Sequence, residues 1–89
     1  MNKVIYLGTT EGCIACSRQK RLLKIAFNNR DDVKLEVYNY KKLPDWIKTN
    51  VKLTDFPITI FVKNNIIKYT HVGTMSINKI EQIKEDIEF

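Results

Sequence analysis

Apolar and polar positions along this chain change period several times, from strand-like to helical and back. Val4, Ile5, Tyr6 and Leu7 form a nearly continuous apolar run, the pattern of a strand buried on both faces, so Lys3 to Leu7 is predicted as a first strand. Gly8 to Gly12 then reads as a loop. From Cys13 or shortly after, Leu22, Leu23, Ala26 and Phe27 recur at helical spacing, and Cys16 and Gln19 lie further up the same side. That helix runs to about Asn28, where Asn28 to Asp32 marks a stop. Val33 to Tyr40 alternates as a strand, with Val33, Leu35 and Val37 on one face. Pro44 followed by Asp45 suits the first turn of a short helix sharing Leu43, Ile47 and Val51 on one face. Ile58 to Val62 is strongly β-prone, Asn64-Asn65 tolerates the positive φ of a tight hairpin turn, and Ile66 to Val72 is the returning strand. Gly73 breaks it. Ser76 or Thr74 can cap a last helix striped by Ile77, Ile80, Ile83 and Ile87.

The order β-α-β-α-β-β-α predicts an α/β fold, a central four-stranded mixed sheet flanked by helices on both faces. The helical crossovers of the first half imply parallel strands there, and the second half is an antiparallel hairpin followed by a helix. At 89 residues the chain suits one domain, spanning 1–89. Glycine and proline are scarce, and no repeat or low-complexity segment interrupts the pattern.

Charge changes the picture little. Fifteen Lys and Arg against ten Asp and Glu leave a formal charge of +5, which suits acidic partners or simply a solvated lysine-rich surface. The longest basic run is Lys41-Lys42, so a nucleic-acid footprint is not expected. No apolar stretch is long enough to span a membrane, and the apolar core of the N-terminus is short for a signal peptide, so a cytoplasmic setting with reduced thiols is expected.

The cysteines change it a great deal. The only two stand as Cys13-Ile14-Ala15-Cys16, where the first strand gives way to the first helix. A CxxC can be half a zinc site, a small staple or a redox dithiol. A staple would close a very small loop, which stabilises least. Zinc normally takes four ligands, and the chain adds only His71, far along on a strand, so no metal is expected. The strand-to-helix junction therefore puts the redox dithiol first. At a helix start the free N–H groups and the macrodipole favour an anion, and the anion a cysteine offers is its reactive thiolate. Cys13, the more N-terminal and expected to be the more exposed, is the candidate nucleophile, with Arg18 nearby. Cys16, about one turn in, can resolve a mixed disulfide. A second signal is Phe56-Pro57: a proline opening a β-prone run belongs at a strand start or edge. Trp46 reads as a core anchor of its helix and His71 as a half-exposed strand histidine.

From Phe56-Pro57-Ile58-Thr59-Ile60-Phe61-Val62-Lys63-Asn64-Asn65 to His71-Val72-Gly73-Thr74-Met75-Ser76, the chain resembles the C-terminal half of thioredoxins without a gap. With Cys13 and Cys16 after the first strand, the resemblance covers nearly the whole chain. Its short N-terminus is more like glutaredoxins. The resemblance implies a minimal thioredoxin fold and a thiol-disulfide oxidoreductase that reduces or exchanges protein disulfides. Cys13 and Cys16 would be catalytic. Pro57 would be a cis-proline facing the dithiol, the backbone of Phe56 would pair with an extended substrate, and Gly73 would let a loop approach the same cleft. Gly12 and Ile14, flanking Cys13, complete the expected substrate-contacting set. No bound cofactor is implied; an external reductant, thioredoxin reductase or glutathione, would serve a monomer acting on protein disulfides. Three departures stand out. Gly12 precedes Cys13 where thioredoxins carry Trp, and Ile14-Ala15 replaces Gly-Pro. Leu7 stands where thioredoxins bury an acid. Gly73-Thr74-Met75-Ser76 lacks the acidic pair with which glutaredoxins hold glutathione. A glutathione-dependent glutaredoxin, and a non-catalytic binding module on the same fold, are the alternative readings.

Overall fold

The protein is described by a computed structural model over residues 2–89. The elements are β1 (Lys3–Thr9), α1 (Ile14–Ala26), β2 (Val33–Asn39), a 3-10 turn (Tyr40–Lys42), α2 (Asp45–Asn50), β3 (Ile58–Lys63), β4 (Ile66–Val72) and α3 (Ile77–Asp86). They build one four-stranded sheet in the order β2-β1-β3-β4. β1 runs parallel to β2, and β3 runs antiparallel to both β1 and β4.

β3 reads as unbroken apolar sequence because both its faces are covered. Thr59 and Phe61 point to the side carrying α1 and α3, where Phe61 joins Ile5, Leu7, Leu23, Ile80 and Ile83. Ile58, Ile60 and Val62 point to the other side, where they meet Ile47 of α2. The hairpin to β4 turns at Asn64 and Asn65, at φ 54° and 65°. Two successive positive φ values are what a two-residue turn of matching twist requires, and Asn accepts them. Ser76 caps α3, its Oγ accepting from the Lys79 N–H at 3.1 Å. Among the described residues no helix is long and apolar enough to cross a membrane.

Three expectations need correction. The second helical connection does not make β3 parallel: β2 ends at the same sheet end where β3 starts, and a six-residue α2 rises only about 9 Å, too short to carry the chain back down the sheet. β1 reaches Thr9 instead of ending at Leu7, because Gly8 and Thr9 continue the ladder with Tyr38 and Asn39 of β2. Trp46 is not buried in the core; it is 37% exposed and meets Tyr6 edge-on at 6.3 Å between ring centres.

The end of the chain is tied to the α1–β2 turn. Arg30 donates to the Phe89 carbonyl and to both carboxylate oxygens of Asp32. Lys3 adds a bond to Asp32 at 3.3 Å. Hydrogen bonding from Arg30 holds the Asp32 carboxyl well below the usual carboxylate range. A depressed native value means that the carboxylate stabilises the fold above the unfolded value of about 4, and that this contribution declines as pH falls below it. The melting-temperature deficit of Asp32→Asn should therefore be largest at neutral pH and shrink below about pH 4; a deficit independent of pH would contradict the ion pair as its cause.

Candidate active site

Cys13 ends the loop that leaves β1 and forms the N-cap of α1. Its backbone is extended (φ −91°, ψ 98°), and its Sγ accepts the Cys16 N–H at 3.0 Å. Sulfur thus fills the place that Ser or Asp oxygen takes at most helix starts. The two cysteines are joined in a disulfide, with Cα atoms 5.2 Å apart. Cys16, in the first turn, is 3% exposed, whereas Cys13 is half-buried. Ile14 between them is 77% exposed and so presents an apolar surface beside the sulfur pair. Gly12 is required by its backbone, at φ +69°, since a Cβ there would meet no atom within 4 Å. A hollow of about 440 Å³ opens at the disulfide, lined by Thr9, Thr10, Gly12, Cys13, Ile14 and Lys20 among others.

Phe56, Pro57 and Gly73 do not line that hollow, but the topology brings them to the same end of the sheet. Pro57 is buried, its bond to Phe56 is cis, and it directly precedes Ile58, the β3 partner of Gly8. The Gly73 N–H donates to the Pro57 carbonyl at 2.8 Å, joining the loop after β4 to the proline. Phe56 lies against Tyr40, ring centres 4.8 Å apart, and its N–H is held by the Asp55 carboxylate at 2.9 Å. His71 is half-buried on β4 with Nε2 3.3 Å from the Thr74 carbonyl oxygen. Among the described residues no group of three or more His, Cys, Asp or Glu side chains converges as a metal site.

Comparison with solved structures places this geometry. A malarial protein superposes over the whole of both chains with a TM-score of 0.80 at 13% identity. Thioredoxin-2, a component of the malaria parasite protein secretion machinery, has a TM-score of 0.77 at 14% identity, over 96% of this chain and 82% of its own. Oxidised mitochondrial thioredoxin 3 from Saccharomyces cerevisiae has a TM-score of 0.75 at 18% identity, over 96% and 78%. The chain has a thioredoxin-like fold. No family model and no curated protein sequence matches it.

Within this thioredoxin-like frame, Leu7 is wholly buried among apolar side chains. Its neighbours across the sheet are Thr59 and, beyond it, His71. The Thr59 hydroxyl is buried with no hydrogen-bond partner among the described residues, and nothing in the structure explains it. Two further residues shape the sheet end without any motif to announce them. A Cβ on Gly8 would stand 2.7 Å from Ile58 Cγ2 and 3.2 Å from Leu43 Cδ1, so the missing side chain lets the segment after Pro57 lie close against β1. Gln19 is fully buried on α1 and bonds both backbone groups of Met75, accepting from its N–H and donating to its carbonyl at 3.3 Å. It clamps the loop after Gly73 onto the helix that starts at Cys13. The helical spacing placed Gln19 on the buried side; only its polar partners were invisible.

Two stability measurements test these contacts. Gly8→Ala crowds a β-branched side chain that cannot swing away and should cost about 1–3 kcal/mol in denaturant unfolding. Gln19→Leu orphans two buried backbone groups at roughly 1–3 kcal/mol each, and should also raise amide exchange at Met75. Unchanged exchange at Met75 would remove the clamp.

Proposed function

We propose that the protein is a thiol-disulfide oxidoreductase in which Cys13 attacks and Cys16 resolves. The observation that carries this reading is the Cys13–Cys16 disulfide at the start of α1, with the Cys16 N–H directed at Cys13 Sγ. In the reduced protein the same N–H would serve the Cys13 thiolate, and a hydrogen bond to the charged form favours it. Arg18, Lys20 and Arg21 add positive charge on the same helix, whose first turn contains no carboxylate.

The reaction balances as two exchanges. The Cys13 thiolate attacks one sulfur of a substrate disulfide; a Cys13–substrate disulfide forms and the other substrate sulfur leaves as thiolate. The Cys16 thiolate then attacks Cys13 Sγ; the intramolecular disulfide forms and the second substrate sulfur leaves. Two electrons pass from the protein dithiol to the substrate, and two protons leave the Cys13 and Cys16 thiols and end on the released thiols. The partial exposure of Cys13 and the burial of Cys16 suit this order, since only the first sulfur need meet an incoming disulfide. The half-buried Phe56 and the buried Pro57, at the same sheet end, would support an extended substrate segment; pairing with the Phe56 N–H would displace the Asp55 carboxylate. An external dithiol or glutathione would restore the reduced protein. The missing acidic pair after Gly73 favours a dithiol reductase over glutathione.

Insulin disulfide reduction with dithiothreitol should fall at least a hundredfold (order of magnitude) on Cys13→Ser, to the uncatalysed rate. Cys16→Ser should instead accumulate a Cys13-linked mixed disulfide, visible by mass spectrometry. Equal activity of Cys13→Ser and the parent protein would refute the reading and leave the fold as a binding scaffold.

A further inference from the structure

The hollow at the disulfide does not end there. Lys20 and Val37 also line a second hollow of about 630 Å³, so the two adjoin as one groove between α1 and β2. It leads away from the dithiol on the β2 side, whereas Pro57 and Gly73 lie toward β3 and β4. Leu23, Phe27, Val33, Leu35 and Val37 contribute apolar side chains to the groove, all but Leu23 only partly buried, within a lining whose exposed surface is mostly polar. Among the described residues β2 pairs with β1 alone, so it forms an edge of the sheet beside this groove.

Its rim is charged, and unevenly so. α1 bears Arg18, Lys20, Arg21 and Lys24 and no acidic residue, and all four are exposed. None of the ion pairs among the described residues uses any of them: those pairs join Lys3 and Arg30 to Asp32, Lys34 to Glu36, Lys48 to Asp45, and Lys84 to Glu81. Lys20 lines both hollows, and Lys24, in the last turn of α1, lines the second only. Arg30 and Asp31 line the far end, where Arg30 is already matched by Asp32. Uncompensated positive charge beside half-covered apolar side chains fits a segment that carries both carboxylates and apolar residues.

We infer that the groove between α1 and β2 docks an acidic, apolar-containing segment of the disulfide-bearing substrate, with its carboxylates on Lys20 and Lys24 and its apolar side chains over Val33, Leu35 and Val37. The inference rests on the oxidoreductase reading and adds to it a class of substrate. It places the segment on the side of the sulfur pair away from Pro57.

The test uses two synthetic peptides with the same disulfide, flanked by Glu and Leu in one and by Lys and Leu in the other. Pre-reduced protein is mixed with each at low ionic strength, and reduction is followed by acid quench and chromatography. The acidic peptide should be reduced roughly tenfold faster or more, and 0.5 M salt should erase most of the difference. In Lys20→Gln/Lys24→Gln the ratio between peptides should fall toward one; taking a ratio within each protein cancels changes in thiol reactivity. Lys52→Gln/Lys68→Gln removes the same charge outside the groove and should keep the ratio. Replacing Leu by Ser in the acidic peptide should slow its reduction severalfold. A ratio near one in the parent protein overturns the inference, as does equal loss in both double variants, which would reduce it to net charge. Binding of a labelled oligonucleotide that depends on Lys20 and Lys24, with no preference between peptides, would overturn it in favour of nucleic acid. Neutral dithiodipyridine separates the two levels: if the parent protein fails to reduce it, the oxidoreductase reading has failed, whereas reduction of it without peptide preference removes the groove alone.

Discussion

The antiparallel pairing of β1 with β3 governs where everything else can be. Because Ile58 opposes Gly8, β3 begins at the end of the sheet where β1 finishes. The loop carrying Cys13 leaves from that end, Pro57 enters there, and the hairpin returns β4 to it, so that Gly73 can bond to Pro57. Segments more than forty residues apart in sequence meet with no long excursion of the chain. The pairing holds because β3 is covered on both faces. Ile58, Ile60, Phe61 and Val62 are each at most 2% exposed, and full burial of such a side chain contributes about 1.5–3 kcal/mol. A slip of one residue would send Phe61 to the side of α2 and Ile60 to the side of α3, exchanging the two halves of the core.

What the sequence made legible was whatever local chemistry encodes. Strand and helix periods, the Asn64-Asn65 turn and the Ser76 cap are written within a few residues of where they act, and the Cys13 to Cys16 spacing sets both sulfurs within one helical turn. The direction of β3 was not legible, because the length of α2 matters only relative to the height of the sheet. Gly8 looked like loop because the reason for its glycine, Ile58 Cγ2 pressing from across the sheet, lies fifty residues away. Gln19 could be placed on the buried side but its role could not be read, since its partners are backbone atoms of Met75 and carry no residue identity. Trp46 misled for a related reason: a large aromatic in a short helix normally anchors it, yet here Leu43 and Ile47 fill that place and leave the ring at the surface against Tyr6.

The start of α1 shows how stability and reactivity divide the same positions. α3 takes an oxygen cap, Ser76, and α2 places Asp45 in its first turn. α1 has neither: its cap is sulfur and its first turn is free of carboxylates. An oxygen cap is worth about 1 kcal/mol over a residue that cannot accept, and an acid near the N-terminus adds about 0.3–1 kcal/mol. A sequence selected for stability alone would therefore put Ser or Asp at position 13 and an acid soon after. Either change would spend the positive end of the helix on a group that does no exchange chemistry. The uncompensated helix start, followed by four cations without a carboxylate among them, leaves positive potential where the proposed thiolate would form and along the side where the proposed acidic segment would dock. Beyond the packing of Leu23 on Ile80 and Ile83, side-chain hydrogen bonds of Gln19 to Met75 and of Lys84 to the Ala26 carbonyl hold the helix to the last third of the chain while leaving its first turn open.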